Sequence, residues 1–391
     1  MPRRVFITVA ERSGDQHAAQ LVRSLRALEP DIVVDALGGE LLREAGAVVH
    51  RNTTDRGAMG LAAALRALEV FKLLRWTRGF YAEHRPDLHI CIDSFAMNAH
   101  FARLAHKAGV PVLYYIPPQL WASREGRIKK LRKYVDHVAC IFTFDEEYFR
   151  RKGMAVTYVG HPLFDELPRE RAAEAGEKYP ARPPVIGLIP GSRRGVASAN
   201  FPHLLEVAAK IEKEFPAATF LIPTTPVTQP IVESVLAEAA SGRRPGPAGA
   251  KVRAVSNGFD SVVPKCDLCL TVSGTATLHA AGYGVPMIVV YRGNPILWHL
   301  IGRWIIKTRT YSLVNLLSDA HEHIVPEFIP WYGSNDPVAQ KAMDYLRHPE
   351  KLAAQKKRLL HLIQTLDKPG ASENVAKLAM GMMEHPCADS G

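Results

Sequence analysis

Four short segments carry side chains that could do chemistry, and each stands where an apolar run gives way to a helical pattern. Glu11-Arg12-Ser13-Gly14-Asp15 follows the run 5–9. Its glycine permits a tight turn and its polar side chains can hydrogen-bond a polyhydroxylated ligand, although Ser13 or Asp15 could equally cap the next helix. Asp93 closes the run 88–92. A carboxylate on a rigid strand end can serve as general base toward a hydroxyl, or simply cap the helix behind it. Pro190-Gly191-Ser192-Arg193 follows 185–189; the glycine lets backbone amides approach an anion, and the planar fork of Arg193 can grip two phosphate oxygens. Ser273-Gly274-Thr275-Ala276-Thr277 follows 268–272 and offers hydroxyls and free amides at a helix start, which favours anions. Small residues also serve packing, so neither loop alone identifies a ligand; two such loops in one half of the chain point to a phosphorylated one. No Walker A, HExxH or GxSxG pattern occurs, nor a carboxylate cluster with magnesium spacing. A departing phosphate would then be stabilised by Arg193 and helix N-termini, with no metal and no cofactor. Preorganised donors of this sort can each supply on the order of 3 kcal/mol.

The elements that must position these residues follow a βαβ rhythm. Apolar runs at 5–9, 88–92, 112–116 and 138–142 alternate with helical patterns near 15–28 and 95–108. A second series places runs at 185–189, 219–222, 252–255, 268–272 and 287–291 among helices near 202–215 and 276–283. The runs are continuously apolar, without in/out alternation, which implies parallel sheets covered on both faces. In such sheets ligands lie beyond the carboxyl ends of the strands, where all four segments fall. The expected fold class is α/β: two tandem Rossmann-like doubly wound domains facing a cleft. The first spans 1–165, a charged, proline-closed linker 166–184, the second domain 185–348, and C-terminal helices at 349–391 are expected to pack back on the first domain.

Composition bounds the partners. In 391 residues, 49 Lys and Arg oppose 39 Asp and Glu, giving a formal charge of +10. That balance suits anionic lipid or nucleotide phosphates and equally nucleic acid, but no nucleic-acid reader motif is present, so no nucleic acid is expected. Hydrophobic residues at 47% and charged residues at 23% exclude a disordered or disulfide-stapled chain. Cys266-Asp267-Leu268-Cys269 has zinc-like spacing, yet it lacks a second pair and sits in an apolar stretch, so buried strand thiols are expected. No apolar run reaches the roughly 18 residues that span a bilayer. The N-terminal run is too short for a signal-peptide core, which predicts a cytoplasmic chain. Residues 296–307, if helical, align His299, Arg303 and Lys307 on one stripe, with Leu297, Trp298, Ile301, Trp304 and Ile305 over the remainder. Such a helix suits an anionic membrane surface, or burial against the other domain. Residues 61–76 are also apolar and basic, but Arg66, Glu69, Lys72 and Arg75 spread around the helix and define no clean amphipathic face.

Taken in order, these loops resemble the lipid-A-disaccharide synthase family, inverting glycosyltransferases of the two-Rossmann B fold. The resemblance rests on Glu11-x-Ser13-Gly14-Asp15, Met59-Gly60, Ile92-Asp93-x4-Asn98, Pro118-x-x-Trp121-Ala122-x-Arg124, Val159-Gly160-His161-Pro162, Pro190-Gly191-Ser192-Arg193, Ser273-Gly274-Thr275-Ala276-Thr277-Leu278, Ser312-Leu313-x-Asn315-Leu316-Leu317 and Val325-Pro326-Glu327. Single motifs are common; the ordered series is specific. It implies a UDP-sugar donor and a lipid-linked monosaccharide acceptor: UDP-2,3-diacylglucosamine joined to 2,3-diacylglucosamine 1-phosphate, giving the β(1→6) lipid A disaccharide and UDP with inversion and without a metal. By the same resemblance Asp93 is the base on the acceptor 6-hydroxyl and Arg193 holds the donor phosphates. Gly191, Ser192, Ser273, Gly274, Thr275, Asn315 and Glu327 would line the UDP pocket, and Glu11, Ser13, Gly14, Asp15 and Asn98 the acceptor side. Trp298, Ile301, Arg303 and Trp304 would touch the cytoplasmic face of the inner membrane, and a homodimer is left open. The chain departs from the family pattern at His279, where Glu is usual, at Pro330 for Gln, at Ser123 for Trp and at Ala96 for Asp. These departures permit a transferase with another UDP-sugar or acceptor. Two rivals are a UDP-sugar epimerase or hydrolase on the same fold, and a non-catalytic membrane-associated nucleotide-sugar binder.

Overall fold

The computed structural model describes residues 2–54, 63–120, 125–167, 182–292, 310–318, 322–366 and 368–384. The chain forms two compact units, Met1–Glu166 with Asp367–Gly391, and Leu167–Leu366. In the first, strands β1 (Arg4–Thr8), β2 (Val33–Gly38), β3 (Val48–Asn52), β4 (Leu88–Ile92), β5 (Val112–Tyr115), β6 (His137–Cys140) and β7 (Val156–Tyr158) form a parallel sheet in the order β3-β2-β1-β4-β5-β6-β7. In the second, β8 (Val185–Ile189), β9 (Thr219–Thr224), β10 (Val252–Ser256), β11 (Leu268–Val272), β12 (Met287–Val290) and β13 (Glu327–Phe328) form a parallel sheet in the order β10-β9-β8-β11-β12-β13.

The strands read as unbroken apolar runs because each face feeds a separate core. Ile186, Leu188, Leu268, Leu270, Ile288 and Val290 pack on one side of the second sheet with Phe201, Leu204 and Ala208. Ile189, Cys269, Met287 and Val289 pack on the other with Ala280, Ala281 and Leu359. Successive residues thus alternate between two buried layers, and both must be apolar. Full burial of a large side chain of this kind contributes roughly 1.5–3 kcal/mol. Helices need only one apolar stripe: Arg12–Leu28 buries Ala18, Leu21, Val22 and Leu25 at helical spacing. Cys266 and Cys269 are buried free thiols within the second core, and Cys269 is pushed well above the ordinary thiol range by its contact with Cys266 and by burial.

Each sheet reverses its winding direction once. The first does so between β1 and β4, the second between β8 and β11. Such switch points leave a crevice at the carboxyl ends of the two flanking strands. The four chemistry-bearing segments follow β1, β4, β8 and β11, so all of them sit at the two switch points.

The C-terminal helices divide between the units, which corrects the expectation that the whole stretch from 349 returns to the first domain. Helix Pro349–Leu366 stays with the second unit, where Leu352, Leu359 and Leu362 are buried. Its Gln355 accepts from the Met287 amide at 2.7 Å and donates to the Ile324 carbonyl at 3.1 Å. Only Ala371–Glu384 packs on Arg12–Leu28 in the first unit. Asp165 caps it, accepting from the amides of Gly370, Ala371 and Ser372 at 2.6, 3.2 and 3.1 Å. Asn374 donates to the Val159 carbonyl at 2.9 Å. The Val159-Gly160-His161-Pro162 motif therefore lies under the returning chain. Met59-Gly60, Trp121-Ala122-x-Arg124, most of the linker and the segment bearing Trp298, Ile301, Arg303 and Trp304 lie outside the described residues.

Candidate functional site

At the first switch point the helix begins at Arg12, so Ser13, Gly14 and Asp15 belong to its first turn and not to a preceding loop. Glu11 and Ser13 are exposed. Asp15 is 2% exposed and accepts from the Gly39 amide at 2.6 Å and the Leu41 amide at 3.0 Å. It caps the helix Glu40–Glu44 across the loop instead of its own helix. At Gly14 a Cβ would lie 2.9 Å from Val9 Cγ1 and 3.9 Å from Asp93 Cβ. Its lack of a side chain lets the helix start pack against Val9, just past the end of β1.

Asp93 is half-buried and adopts φ +53°, followed by Ser94 at φ +39°. Two successive non-glycine residues in the left-handed region cost about 1–3 kcal/mol each and persist only where the surroundings impose them. Here the Asp93 amide donates to the Tyr115 carbonyl at 3.0 Å. The Asp93 carbonyl accepts from the Tyr114 hydroxyl at 2.7 Å and from Asn98 Nδ2 at 2.9 Å. Asn98 Nδ2 also donates to the Ile92 carbonyl at 2.8 Å, while its Oδ1 accepts from the Thr8 hydroxyl at 2.7 Å. Thr8 Oγ1 is 2.9 Å from His89 Nε2, and His89 Nδ1 meets the Tyr81 hydroxyl. Burial lowers the His89 pKa to about 3, so the ring is neutral and carries one donor and one acceptor. With Nε2 protonated, every bond runs one way: Tyr81 to His89 to Thr8 to Asn98 to the Asp93 carbonyl. Burial also pushes the Tyr114 hydroxyl well above its usual range, which keeps it a donor. Asn98 is fully buried beneath Asp93 and fastened to its backbone.

At the second switch point Gly191 adopts φ +93°, and a Cβ there would lie 3.0 Å from Val272 and 3.1 Å from Val196. The turn is pressed between the end of β11 and the helix Arg194–Glu214, and Ser192 and Arg193 stand exposed on it. Opposite, Gly274 and Thr275 are exposed at the start of the helix Thr275–Gly282. Ser273 Oγ donates to the Tyr311 carbonyl at 2.7 Å, and the Thr277 hydroxyl folds back on the Gly274 carbonyl at 2.8 Å. Tyr311 is held in turn by Glu327, whose Oε2 accepts from the Tyr311 amide at 2.9 Å. Glu327 Oε1 accepts from the Ser312 amide at 2.9 Å, the Ser312 hydroxyl at 2.6 Å and Asn315 Nδ2 at 2.7 Å. Asn315 is fully buried and also exchanges two bonds with the Val325 backbone, at 2.8 and 2.9 Å. Asn315 and Glu327 thus form a clamp that fixes the carbonyl on which Ser273 rests.

His279 stands one helical turn beyond Thr275, stacked between Phe259 (centroids 4.4 Å apart) and Tyr283 (5.4 Å). Burial lowers its pKa, opposed by the neighbouring Asp260 carboxylate. Sequence patterns do not single out Tyr81, His89, Thr8, Tyr114 or Asp260. A signal exists for two of them: His89 and Thr8 are polar residues inside strands otherwise rich in apolar ones, and a buried polar side chain requires a partner.

Among the described residues no helix is long and apolar enough to cross a membrane. On the helix Ala63–Glu83, however, Leu68 and Phe71 are 52% and 62% exposed, and Lys72 and Arg75 are exposed on the same stripe at i+4 and i+7 from Leu68. The exposed surface of this helix thus mixes large apolar side chains with cations, and no separate apolar face forms among the described residues, as its charge distribution implies.

Comparison with known proteins places these geometries in a family. The model of the family described as lipid-A-disaccharide synthetase matches residues 5–380. A lipid-A-disaccharide synthase of Geobacter sulfurreducens is 33% identical over 386 residues, covering 97% of each chain. One from Coxiella burnetii is 30% identical over 384 residues, covering 97% of this chain and 98% of its own. Among solved structures, a UDP-GlcNAc 2-epimerase from Neisseria meningitidis bound to UDP-GlcNAc is similar with a TM-score of 0.59 at 11% identity, covering 97% of this chain and 99% of its own. A glycosyltransferase from Rickettsia africae is similar with a TM-score of 0.55 at 13% identity, covering 100% of both chains. At such identities these two structures share the fold alone.

Proposed function

This chain belongs to the lipid-A-disaccharide synthase family, and on that premise we propose that it transfers 2,3-diacylglucosamine from UDP-2,3-diacylglucosamine to 2,3-diacylglucosamine 1-phosphate. Membership makes it a glycosyltransferase of lipid A assembly, and its two doubly wound sheets agree with that. The products of the proposed reaction are the β(1→6) disaccharide and UDP. Asp93 takes the proton from the acceptor 6-hydroxyl as that oxygen attacks the anomeric carbon on the face opposite the leaving group, which inverts the centre. Arg193 and the amides of the Gly191 and Gly274-Thr275 turns hold the departing diphosphate in place of a metal.

The observation that carries this reading is the backbone of Asp93. A left-handed aspartate, fixed by two hydrogen bonds to its own carbonyl at the switch point of the sheet, is what a base needs if its carboxylate is to stay in one place. The exposed Leu68, Phe71, Lys72 and Arg75 stripe supports a peripheral seat on an anionic membrane, where both acylated substrates reside.

Incubating the protein with both substrates in EDTA and measuring disaccharide and UDP by mass spectrometry tests the proposal. Both products should form in equal amounts. UDP without disaccharide would indicate hydrolysis, an isomerised UDP-sugar would indicate epimerisation, and either would replace the transfer reading.

A further inference from the structure

Asp260 lies in the short helix Phe259–Val262 that follows β10, at the carboxyl end of the second sheet. Its side chain is 67% exposed, yet it is oriented by two donors on the helix Thr275–Gly282 and its C-cap. The Tyr283 hydroxyl donates to Asp260 Oδ1 at 2.7 Å, and His279 Nε2 lies 2.8 Å from the same oxygen. Oδ2 has no partner among the described residues. The two donors are themselves fixed, because His279 is layered between the rings of Phe259 and Tyr283 at interplanar angles of 27° and 22°. An exposed carboxylate would ordinarily sample many rotamers; this one presents a single free oxygen edge on an aromatic platform.

Its place on the helix restricts what it can meet. His279 lies four residues beyond Thr275, on the order of 6 Å along the axis at 1.5 Å per residue. A nucleoside diphosphate whose phosphates sit at the exposed Gly274 and Thr275 amides places its ribose about that far along. A carboxylate only accepts hydrogen bonds, so it suits the two adjacent hydroxyls of a ribose and repels the carbonyl oxygens of a uracil ring. Carboxylates meet ribose hydroxyls in this way in other nucleotide-binding sheets.

We propose that Asp260, held by Tyr283 and His279, accepts the ribose hydroxyls of the donor nucleotide and makes this chain selective for a ribonucleotide donor. The inference rests on the reading that a UDP-sugar occupies the second unit. It assigns donor recognition to a residue on the β10 loop and gives His279 the task of orienting it. Asp260 is the contact; His279 and Tyr283 are positioning residues.

Calorimetric titration of the full chain with UDP and with 2′-deoxy-UDP tests it. The unaltered protein should bind UDP about tenfold more tightly than the deoxy compound, the value of a hydrogen bond to a charged acceptor. Asp260→Ala should bring that ratio close to one, weakening UDP more than 2′-deoxy-UDP, which keeps only its 3′-hydroxyl, and Tyr283→Phe should lower the ratio part of the way. A ratio that survives Asp260→Ala, or a loss shared equally by both nucleotides, overturns the proposal. Failure of the unaltered protein to bind UDP at all would instead overturn the donor reading beneath it.

Discussion

Under Asp93 the supporting hydrogen bonds come from neutral groups, two tyrosine hydroxyls, an imidazole, a threonine and an amide. Under Ser273 they converge on a carboxylate, Glu327, that accepts from four donors. The difference follows the work proposed for each place. A charge buried beside a general base would shift the base's own proton affinity through a low-dielectric interior, whereas a neutral relay fixes position without doing so. No proton moves at the Ser273 turn in the proposed reaction, so a charged clamp is tolerated there and gives stronger, charge-assisted bonds. Support is rigid in both places; only its charge differs.

Several measurements would sharpen or break that contrast. Asp93→Asn should lower kcat about 10³-fold, within the range of general-base removal, with UDP affinity unchanged in calorimetry. Equal loss of UDP binding would mean that Asp93 shapes the donor pocket and is not a base. Glu327→Ala strands four donors at once, so it should destabilise the fold by roughly 3 kcal/mol and weaken UDP binding at least tenfold. Thermal melts and calorimetry read the two effects, and Glu327→Gln should recover part of each. Tyr114→Phe removes one neutral bond to the Asp93 carbonyl and should cost about 1 kcal/mol of stability. It should lower kcat about tenfold with KM for both substrates and the pH profile unmoved. A shifted pH profile in Tyr114→Phe would show that the neutral relay tunes Asp93 electrostatically.

A last effect is acid sensitivity. Burial lowers His17 to about 4 and His89 to about 3, both in the first unit. Their folded pKa values lie below the unfolded 6.5, so the unfolded chain binds more protons between those limits and stability rises with pH across that window. Stability is then full above about pH 6.5 and declines as pH falls, toward about 4 for His17 and toward about 3 for His89, by at most about 1.4 kcal/mol per pH unit for each ring. Hydrogen exchange on the intact chain at pH 7 and pH 5 should show first-unit amides losing protection before those of the second unit. His89→Gln should flatten the slope.

The fold is largely legible in the sequence because β4, β8 and β11 are buried on both faces, and continuous apolar runs set between helical patterns are what such a sheet demands. Placement of the chemistry is legible through the rule that ligands gather at strand ends. The division of labour inside each site is not. The motifs mark Asn98, Asn315 and Glu327 as ligand-lining side chains, whereas the structure places Asn98 and Asn315 fully buried, and all three bonded to backbone. A motif shows that a polar residue is needed without saying whether it faces substrate or holds the residue that does. Asp15 makes the same point, since its partners lie 24 and 26 positions downstream, a separation that local cap patterns do not encode. The proline-closed linker suggests where the first unit stops, but nothing in the local pattern of 349–391 reveals that one helix stays with the second unit and the next leaves it.

The Asp165 cap on Ala371–Glu384 has a consequence for biosynthesis. During translation the first 166 residues emerge long before that helix exists, so the face of Arg12–Leu28 on which it packs waits for its covering. The first unit can therefore be completed only after the second has left the ribosome, and a nascent chain stalled before residue 371 holds one apolar helix face open to chaperones.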